Sequence, residues 1–209
     1  MQFPNACEGV KKIYKAEIIA LIGAICGLLA AILGVIGTAA GSVGGLAGAG
    51  VLIIAMSVLL IIAFIINIGG LNKAKADEEY FAKALYMVIA GIVLSVVMGA
   101  TKEGTLLHTV GDGLSKLCSL LVNYLVATAL LNLAERMGNS AVAQKAKSVR
   151  SLLTVVWIIA LVLDLVGGFL TTTEAVVAVV LALIASIVEI IAYILYLGLL
   201  SKARGMLER

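Results

Sequence analysis

Leu197-Gly-Leu-Leu-Ser-Lys-Ala-Arg204 is the third copy of a short pattern that ends three long apolar runs of this sequence. In each copy a Leu is followed by a polar residue and then, within a few positions, by a basic residue. The shared Leu occupies positions 71, 131 and 200, so the copies are 60 and 69 residues apart. A change from apolar to basic residues is typical of the point where a transmembrane helix leaves the bilayer.

The residue seven positions before the shared Leu is aromatic in all three copies: Phe64, Tyr124 and Tyr193. The match therefore extends about two helical turns into each apolar run. We predict an all-α integral membrane protein with six transmembrane helices arranged as three tandem two-helix hairpins. The hairpins cover residues 10–75, 76–137 and 138–205. Together they are expected to form a single transmembrane domain over the whole chain, 1–209.

The composition agrees with a membrane location. Of 209 residues, 63% are hydrophobic and 13% are charged, and that charged share is about half of the usual value for a soluble domain. A helix that crosses the hydrocarbon layer needs about 20 apolar residues. Six segments qualify, at about 16–37, 51–71, 84–100, 117–133, 151–170 and 173–200. The loops that remain are too short to hold a separate soluble catalytic domain.

The basic residues predict the orientation of the chain. Thirteen of the fifteen Lys and Arg fall on one side of the predicted membrane, and only Lys102 and Lys116 fall on the other. Because short loops rich in Lys and Arg stay in the cytoplasm, both termini are expected to be cytoplasmic in an inner or plasma membrane. Topology and attraction to anionic headgroups explain these charges. We therefore expect membrane lipids as partners and no nucleic acid.

Residues that commonly carry chemistry are few. Cys7, Cys26 and Cys118 form no CxxC pair, and no His and Cys have metal-ligand spacing. His108 is the only histidine, and we expect it to be a solvated residue of a polar outer loop over 101–115. The sequence contains no phosphate-binding loop, HExxH motif or nucleophile elbow. It therefore predicts no metal, no cofactor and no enzymatic activity.

A series of glycines marks the first hairpin: Gly23, Gly27, Gly37, Gly41 and Gly45. Small residues at four-residue intervals allow helices to approach closely in lipid. Packing of the two helices inside this hairpin is the favoured interpretation, and association of two chains into a homo-oligomer is the alternative. Whether the glycine-rich connection up to residue 50 is helix or loop stays open.

Two acidic residues lie inside apolar runs, Asp164 in the fifth span and Glu189 in the sixth. Asp164 lies about 10 Å from the outer turn at 1.5 Å per residue, close enough to meet water. Glu189 lies past the middle of the bilayer, where an ionised carboxylate costs at least a few kcal/mol. Glu189 should therefore face other helices or a wet cavity, or be protonated.

Helical spacing places other polar groups near Glu189. Ser186, Tyr193 and Tyr196 share its face of the sixth helix, and Thr154 lies at the same depth if the last two helices are antiparallel about position 171.5. The other two hairpins have Leu at the equivalent place, so the acid breaks the repeat. The candidate ion, proton or substrate site consists of Glu189, Thr154, Tyr193, Ser186 and Asp164.

The plan of three hairpins that begin in the cytoplasm resembles that of the mitochondrial carriers, which also repeat two spans three times. That family ends each odd span with a Pro-x-Asp/Glu-x-x-Lys/Arg motif. The corresponding ends here, Gly34–Gly37, Val97–Ala100 and Leu165–Gly168, contain no Pro. The resemblance therefore implies the general plan alone, and no residue or substrate is carried over.

Two functions follow from these patterns. The first is transport or permeation of a small solute or ion, with three hairpins around a pseudo-threefold cavity lined by the repeated aromatics and Glu189 as the acidic site. The alternative is a non-catalytic structural or partner-binding membrane protein, an oligomer subunit or scaffold, in which Glu189 is only a packed hydrogen-bonding residue. A wet cavity that reaches Glu189 would favour the first.

Overall fold

A computed structural model of the chain describes residues 2–99, 106–169 and 175–209. Over these residues the protein is all-helical, with six α-helices and no strand. The helices are α1 Pro4–Ala39, α2 Val43–Ala74, α3 Glu79–Gly99, α4 Leu106–Arg136, α5 Ser140–Phe169 and α6 Ala175–Leu207. The predicted all-α class is confirmed.

Among the described residues, five of the helices, all except α5, contain a stretch long and apolar enough to cross a membrane. Their large apolar side chains are widely exposed, among them Ile22, Ile54 and Val93. An exposed apolar surface of this extent is not expected in a soluble monomer. These helices indicate a multi-pass membrane protein. The predicted span 151–170 lies on α5, where many side chains fall outside the described residues, and that span stays a prediction.

The first two helices form an antiparallel hairpin with a short turn. Helix α1 ends at Ala39, and α2 begins at Val43. Between them Gly41 has a φ of 60°, in the left-handed region where glycine avoids the steric cost of a side chain. The Ser42 side chain accepts a hydrogen bond from the Gly45 N–H at 3.3 Å and caps α2. The glycine-rich connection is therefore almost entirely helical.

Four of the five glycines in the predicted packing series lie against the partner helix of the hairpin. A Cβ atom at Gly37 would come within 3.0 Å of the Leu46 nitrogen, and one at Gly45 within 2.9 Å of the Gly37 Cα. Gly23 and Gly27 face Leu60 and Met56 of α2. Gly41 was wrongly included, because it lies in the turn with no other atom within 4 Å of a Cβ.

A second close approach of α1 and α2 involves Gly9 and Gly70. A Cβ atom at Gly70 would come within 2.8 Å of the Gly9 carbonyl oxygen, whereas one at Gly69 would meet nothing within 4 Å. We expect Gly70→Ala to lower the free energy of unfolding by about 1 to 3 kcal/mol through overpacking. Gly69→Ala should raise it by up to about 1 kcal/mol, because alanine favours the helix.

Thermal unfolding of the two variants in detergent micelles measures this difference. The pair is well matched, since neighbouring residues of one helix receive the same methyl group. Equal melting temperatures for Gly69→Ala and Gly70→Ala would contradict the close contact between α1 and α2.

Both termini lie at one end of the bundle, which we call the basic end. Lys11 Nζ of α1 lies 3.3 Å from Glu208 Oε1, next to the C-terminus. The Arg204 guanidinium lies 5.3 Å from the centre of the Tyr14 ring. These contacts bring the first and last helices together, so both ends of the chain lie on the same side of the helix bundle.

The exits of the first and second hairpins also lie at the basic end. Lys73 Nζ is 3.4 Å from Glu8 Oε2, and Arg136 Nη2 is 3.0 Å from Glu78 Oε2 in the turn between α2 and α3. These ion pairs place Lys73 and Arg136 at the same end, as the charge pattern predicts. The side of a membrane that this end faces stays a prediction, as does the threefold repeat.

The helices follow one another around the bundle in chain order. Each contacts the next, α6 returns to contact α1, and α4 also contacts α6. The buried core is concentrated at the basic end. Its largest fully buried members are Tyr196, Phe81, Ile13, Leu71, Leu130, Leu133, Leu199, Leu200 and Leu207. Among the described residues, most of the fully buried side chains therefore lie where the basic residues gather.

One sequence-based boundary was wrong. Helix α4 begins at Leu106, so His108 is helical and the predicted outer loop over 101–115 is shorter. Leu106, Val110 and Leu114 recur at four-residue spacing, which favours a helix although two glycines lie between them. Residues 100–105 lie outside the described part of the chain.

The start of α1 is capped from outside the helix. Glu8 follows Asn5 at the spacing of a local capping box, but it pairs with Lys12 and Lys73. Asp77, in the turn between α2 and α3, instead accepts a hydrogen bond from the Ala6 N–H at 2.7 Å. A residue 71 positions away therefore satisfies the exposed end of the helix.

Candidate ion or proton site

A buried polar cluster within the bundle is centred on Glu17 of α1, which is only 7% exposed. Asn67 Nδ2 of α2 donates a hydrogen bond to Glu17 Oε1 at 2.9 Å. The Tyr193 hydroxyl of α6 lies 2.6 Å from Glu17 Oε2 and 2.7 Å from the Glu17 backbone oxygen. Three helices therefore meet at one carboxyl group.

The position of Glu17 follows from the periodicity of α1. Ala6, Val10 and Ile13 are completely buried, and Glu17 continues their spacing of three and four residues along one helix face. Lys15 lies off this face and is exposed. Glu17 therefore turns into the bundle although it follows a basic segment.

Glu17 has neutral neighbours. In the described ranges, no Lys or Arg lies within ion-pair distance of its carboxyl group. Asn67 Oδ1 is buried without a hydrogen-bond partner, and so is the hydroxyl of Tyr196, one helical turn beyond Tyr193. Buried polar atoms are normally satisfied, so the cluster retains capacity to bind a proton, a water molecule or an ion.

A cavity of about 740 Å³ lies beside Glu17 between α1, α2, α3 and α4. Its lining is mainly apolar, with a few polar side chains at the depth of the predicted spans. The polar residues are Glu17, Asn67, Ser95, Ser119 and Asn123. An apolar chamber with a small number of convergent polar groups is the usual form of a small-ligand site.

The two ends of this cavity differ. Towards the basic end lie Leu71 and Phe81, which are fully buried, and Leu85, which is nearly so. Towards the other end the lining includes Val96, which is 70% exposed and lies close to the end of α3. Buried core residues therefore close the cavity towards the basic end, and its lining away from that end includes an exposed residue.

The repeated aromatics do not line this cavity together. Of the three, only Phe64 is among its lining residues. Tyr124 lies under the Arg150 guanidinium, with 5.8 Å between the ring centre and Cζ, and Tyr193 contacts Glu17. In the described structure the cavity thus lies between the first two hairpins and not on a threefold axis.

The predicted site residues are only partly accounted for. Tyr193 belongs to the cluster, but its partner is Glu17. Thr154 is exposed, and its hydroxyl donates to the Arg150 carbonyl at 3.1 Å within α5. Ser186, Glu189 and Asp164 lie on described helices, but their side chains fall outside the described residues. Their role, including the pairing of Glu189 with Thr154, stays a prediction.

One contact in the last hairpin bears on the expectation that α5 and α6 are antiparallel about position 171.5. Lys145 Nζ lies 2.8 Å from the position of a Cβ on Gly198, and these two residues are equidistant from position 171.5. This contact brings the first turns of α5 beside the last turns of α6, as an antiparallel pair requires. Thr154 and Glu189 are equidistant from the same point.

Sequence reasoning missed Glu17 and underestimated Asn67. Neither residue is among the candidate site residues predicted above, because Glu17 follows the basic Lys15 and helix packing is the simplest use of a membrane-embedded amide such as Asn67. The available signal was the helical spacing of Glu17 with Ala6, Val10 and Ile13. It was outweighed by the greater predicted depth of Glu189.

No protein-family model matches the chain, and neither a curated protein nor a solved structure matches it. Within the described residues, no three His, Cys, Asp or Glu side chains come together to hold a metal ion. Functional inference therefore depends on the Glu17 cluster and the adjacent cavity.

Proposed function

We propose that this protein is a non-enzymatic transporter or permeation protein for a small polar solute or ion in the cell membrane. The observation that supports this most is the cavity of about 740 Å³ beside a buried carboxyl group. Glu17 replaces Glu189 as the principal acidic residue of the proposal, and Glu189 is a second candidate. Asn67 and Asn123 supply amides to the same chamber.

The shape of the cavity supports a role in transport more than one in packing. Its volume falls within the range of about 300 to 1,000 Å³ that is common for small-ligand sites. It is bounded by buried core residues towards the basic end. Access that alternates between the two ends would require Leu71, Phe81 and their neighbours to separate at the basic end.

Filling the cavity with a larger side chain should slow transport. A Cβ at Gly91 would lie 3.5 Å from the Cys118 Cβ, an ordinary contact, so Gly91→Phe can direct its ring into the chamber. We expect vesicles with the wild-type protein to take up at least one of glycerol, alanine, choline or sodium faster than protein-free vesicles. Gly91→Phe should reduce that excess about tenfold, because the ring occupies the ligand volume.

Gly69→Phe is the matched control, because a Cβ at Gly69 meets no atom within 4 Å and Gly69 does not line the cavity. It should retain wild-type uptake of the same probe. Lack of excess uptake for all four probes, or equal uptake by Gly91→Phe and the wild type, would count against transport and favour the structural alternative. Glu189→Gln in the same assay tests the second acid.

We also propose that anionic lipid headgroups bind at the basic end. Burial lowers the pKa of the Lys145 ammonium, and the charge of Lys202 lowers it further. A lipid phosphate between these two groups would offset their repulsion. Homo-oligomer formation through the exposed faces of α1 and α2 remains a separate proposal.

A further inference from the structure

We propose that Glu17 is a proton-binding residue, that the conformation described here holds it as a neutral carboxylic acid, and that its proton exchanges with the cavity. This rests on the proposed function, because it names the ion that the transport site binds. It excludes a metal cation as the occupant of Glu17.

Tyr193 has a single hydroxyl hydrogen but makes two short contacts with Glu17. A phenol has one O–H hydrogen, yet the Tyr193 oxygen lies within 2.7 Å of the Glu17 backbone oxygen and 2.6 Å of Glu17 Oε2. The backbone oxygen only accepts, and so does an ionised carboxylate. Both short contacts can be full hydrogen bonds without sharing this one hydrogen if Glu17 Oε2 carries a proton, which it donates to Tyr193 while Tyr193 donates to the backbone oxygen.

The other carboxyl oxygen of Glu17 has a hydrogen-bond donor of its own. Asn67 Nδ2 donates to Glu17 Oε1 at 2.9 Å, so Oε1 acts as the carbonyl oxygen of the neutral acid. Every polar atom of the Glu17 side chain then has one suitable partner. An ionised Glu17 would be a buried charge without a counter-charge in the described structure, which is strongly unfavourable.

Glu78 provides an internal comparison. Its side chain is 2% exposed, but it accepts a hydrogen bond from Asn132 at 3.0 Å and forms an ion pair with Arg136 at 3.0 Å. The fold therefore supplies a cation to the buried acid at the basic end. It supplies only neutral donors to Glu17, which lies within a predicted span.

A metal ion fits the same geometry poorly. A cation at the carboxyl group would need several oxygen ligands, but the Asn67 amide nitrogen and the Tyr193 hydroxyl already approach its two oxygens as hydrogen-bonding groups. Exchange then consists of transfer of one proton from Oε2 to water in the cavity, which leaves a carboxylate and a hydronium ion.

Infrared spectroscopy of the protein in lipid vesicles tests the protonation directly. At neutral pH we expect the wild type to show the carbonyl-stretch band of a protonated carboxylic acid. The Glu17→Gln variant should lose the area of one such group. Glu8→Gln is the matched control on α1, because Glu8 pairs with Lys12 and Lys73, and it should leave the band unchanged. Tyr193→Phe should shift the Glu17 band, because the acid loses its hydrogen-bond acceptor.

Glutamine can reproduce both contacts of the neutral acid, since its oxygen accepts from Asn67 and its amide donates to Tyr193. We therefore expect Glu17→Gln to fold with a melting temperature close to that of the wild type. If this variant fails to fold, the band shift in Tyr193→Phe and the loss of the wild-type band at high pH carry the test.

The outcomes separate the two proposals. An identical protonated-acid band in the wild type and in folded Glu17→Gln overturns the proton proposal, even if Gly91→Phe blocks uptake. The proton proposal is also overturned if the wild type shows no Glu17 acid band and Glu17→Gln abolishes a sodium-dependent uptake. An acid band that depends on Glu17 without uptake of any probe supports the protonation and rejects transport. Loss of uptake-linked proton movement in Glu17→Gln, measured with a pH dye inside the vesicles, supports both.

Discussion

Replacement of Arg136 with glutamine is expected to lower the free energy of unfolding by about 3 kcal/mol, because it leaves the buried carboxylate of Glu78 without its cation. Glu78 is 2% exposed and Arg136 is 54% exposed, so the estimate takes the lower end of the range for buried ion pairs. Asn132 would still donate one hydrogen bond. Chemical unfolding in mixed micelles measures the loss.

Lys147→Gln is the control for this prediction. Lys147 pairs with Glu135 at 3.0 Å, but their side chains are 59% and 51% exposed, so the loss should not exceed about 1 kcal/mol. The double variant Glu78→Gln/Arg136→Gln should recover part of the stability, because it removes the buried charge as well as its partner. Equal losses for Arg136→Gln and Lys147→Gln would contradict the burial of Glu78.

The helices were predictable because their signals are local. Apolar runs of sufficient length and basic residues at their ends identify spans from composition alone. The common location of Lys73 and Arg136 follows from counting crossings between them. Nothing in that count depends on which side chains touch, so it can be made before the packing is known.

The Glu17 cluster was not predictable in the same way. Tyr193 is 176 positions from Glu17, and only the return of α6 to α1 brings them together. Hydropathy also treats Glu17 as the last polar residue of a basic segment, although its helical spacing with Ile13 places it on the buried face. A pattern averaged along the chain therefore obscures the direction in which a single acid points.

The depth argument favoured Glu189 for a valid physical reason. An acid near the middle of an apolar run has the highest cost of ionisation. The same cost applies to an acid nearer the end of a helix if neighbouring helices cover it, and α2 and α6 cover Glu17. Distance from the end of a span therefore ranks acids correctly only when the helices are isolated.

Labelling of single cysteines should give an all-or-none result for the orientation of the chain. With Cys7, Cys26 and Cys118 replaced by alanine, we expect Lys75→Cys and Lys202→Cys to resist a membrane-impermeant maleimide in intact cells. Both should react after permeabilisation, because both positions are exposed at the basic end, which the charge distribution predicts to be cytoplasmic. Glu103→Cys, in the predicted outer connection, should react in intact cells.

The pattern of labelling distinguishes two kinds of error. Reaction of both basic-end cysteines in intact cells, with protection at position 103, would invert the orientation and leave the fold unchanged. The end of the cavity away from its buried core residues would then face the cytoplasm. Opposite behaviour of positions 75 and 202 would be incompatible with the shared end that Lys11 and Glu208 define at 3.3 Å. The arrangement of α6 beside α1 would then be wrong, and the contact between Glu17 and Tyr193 depends on that arrangement.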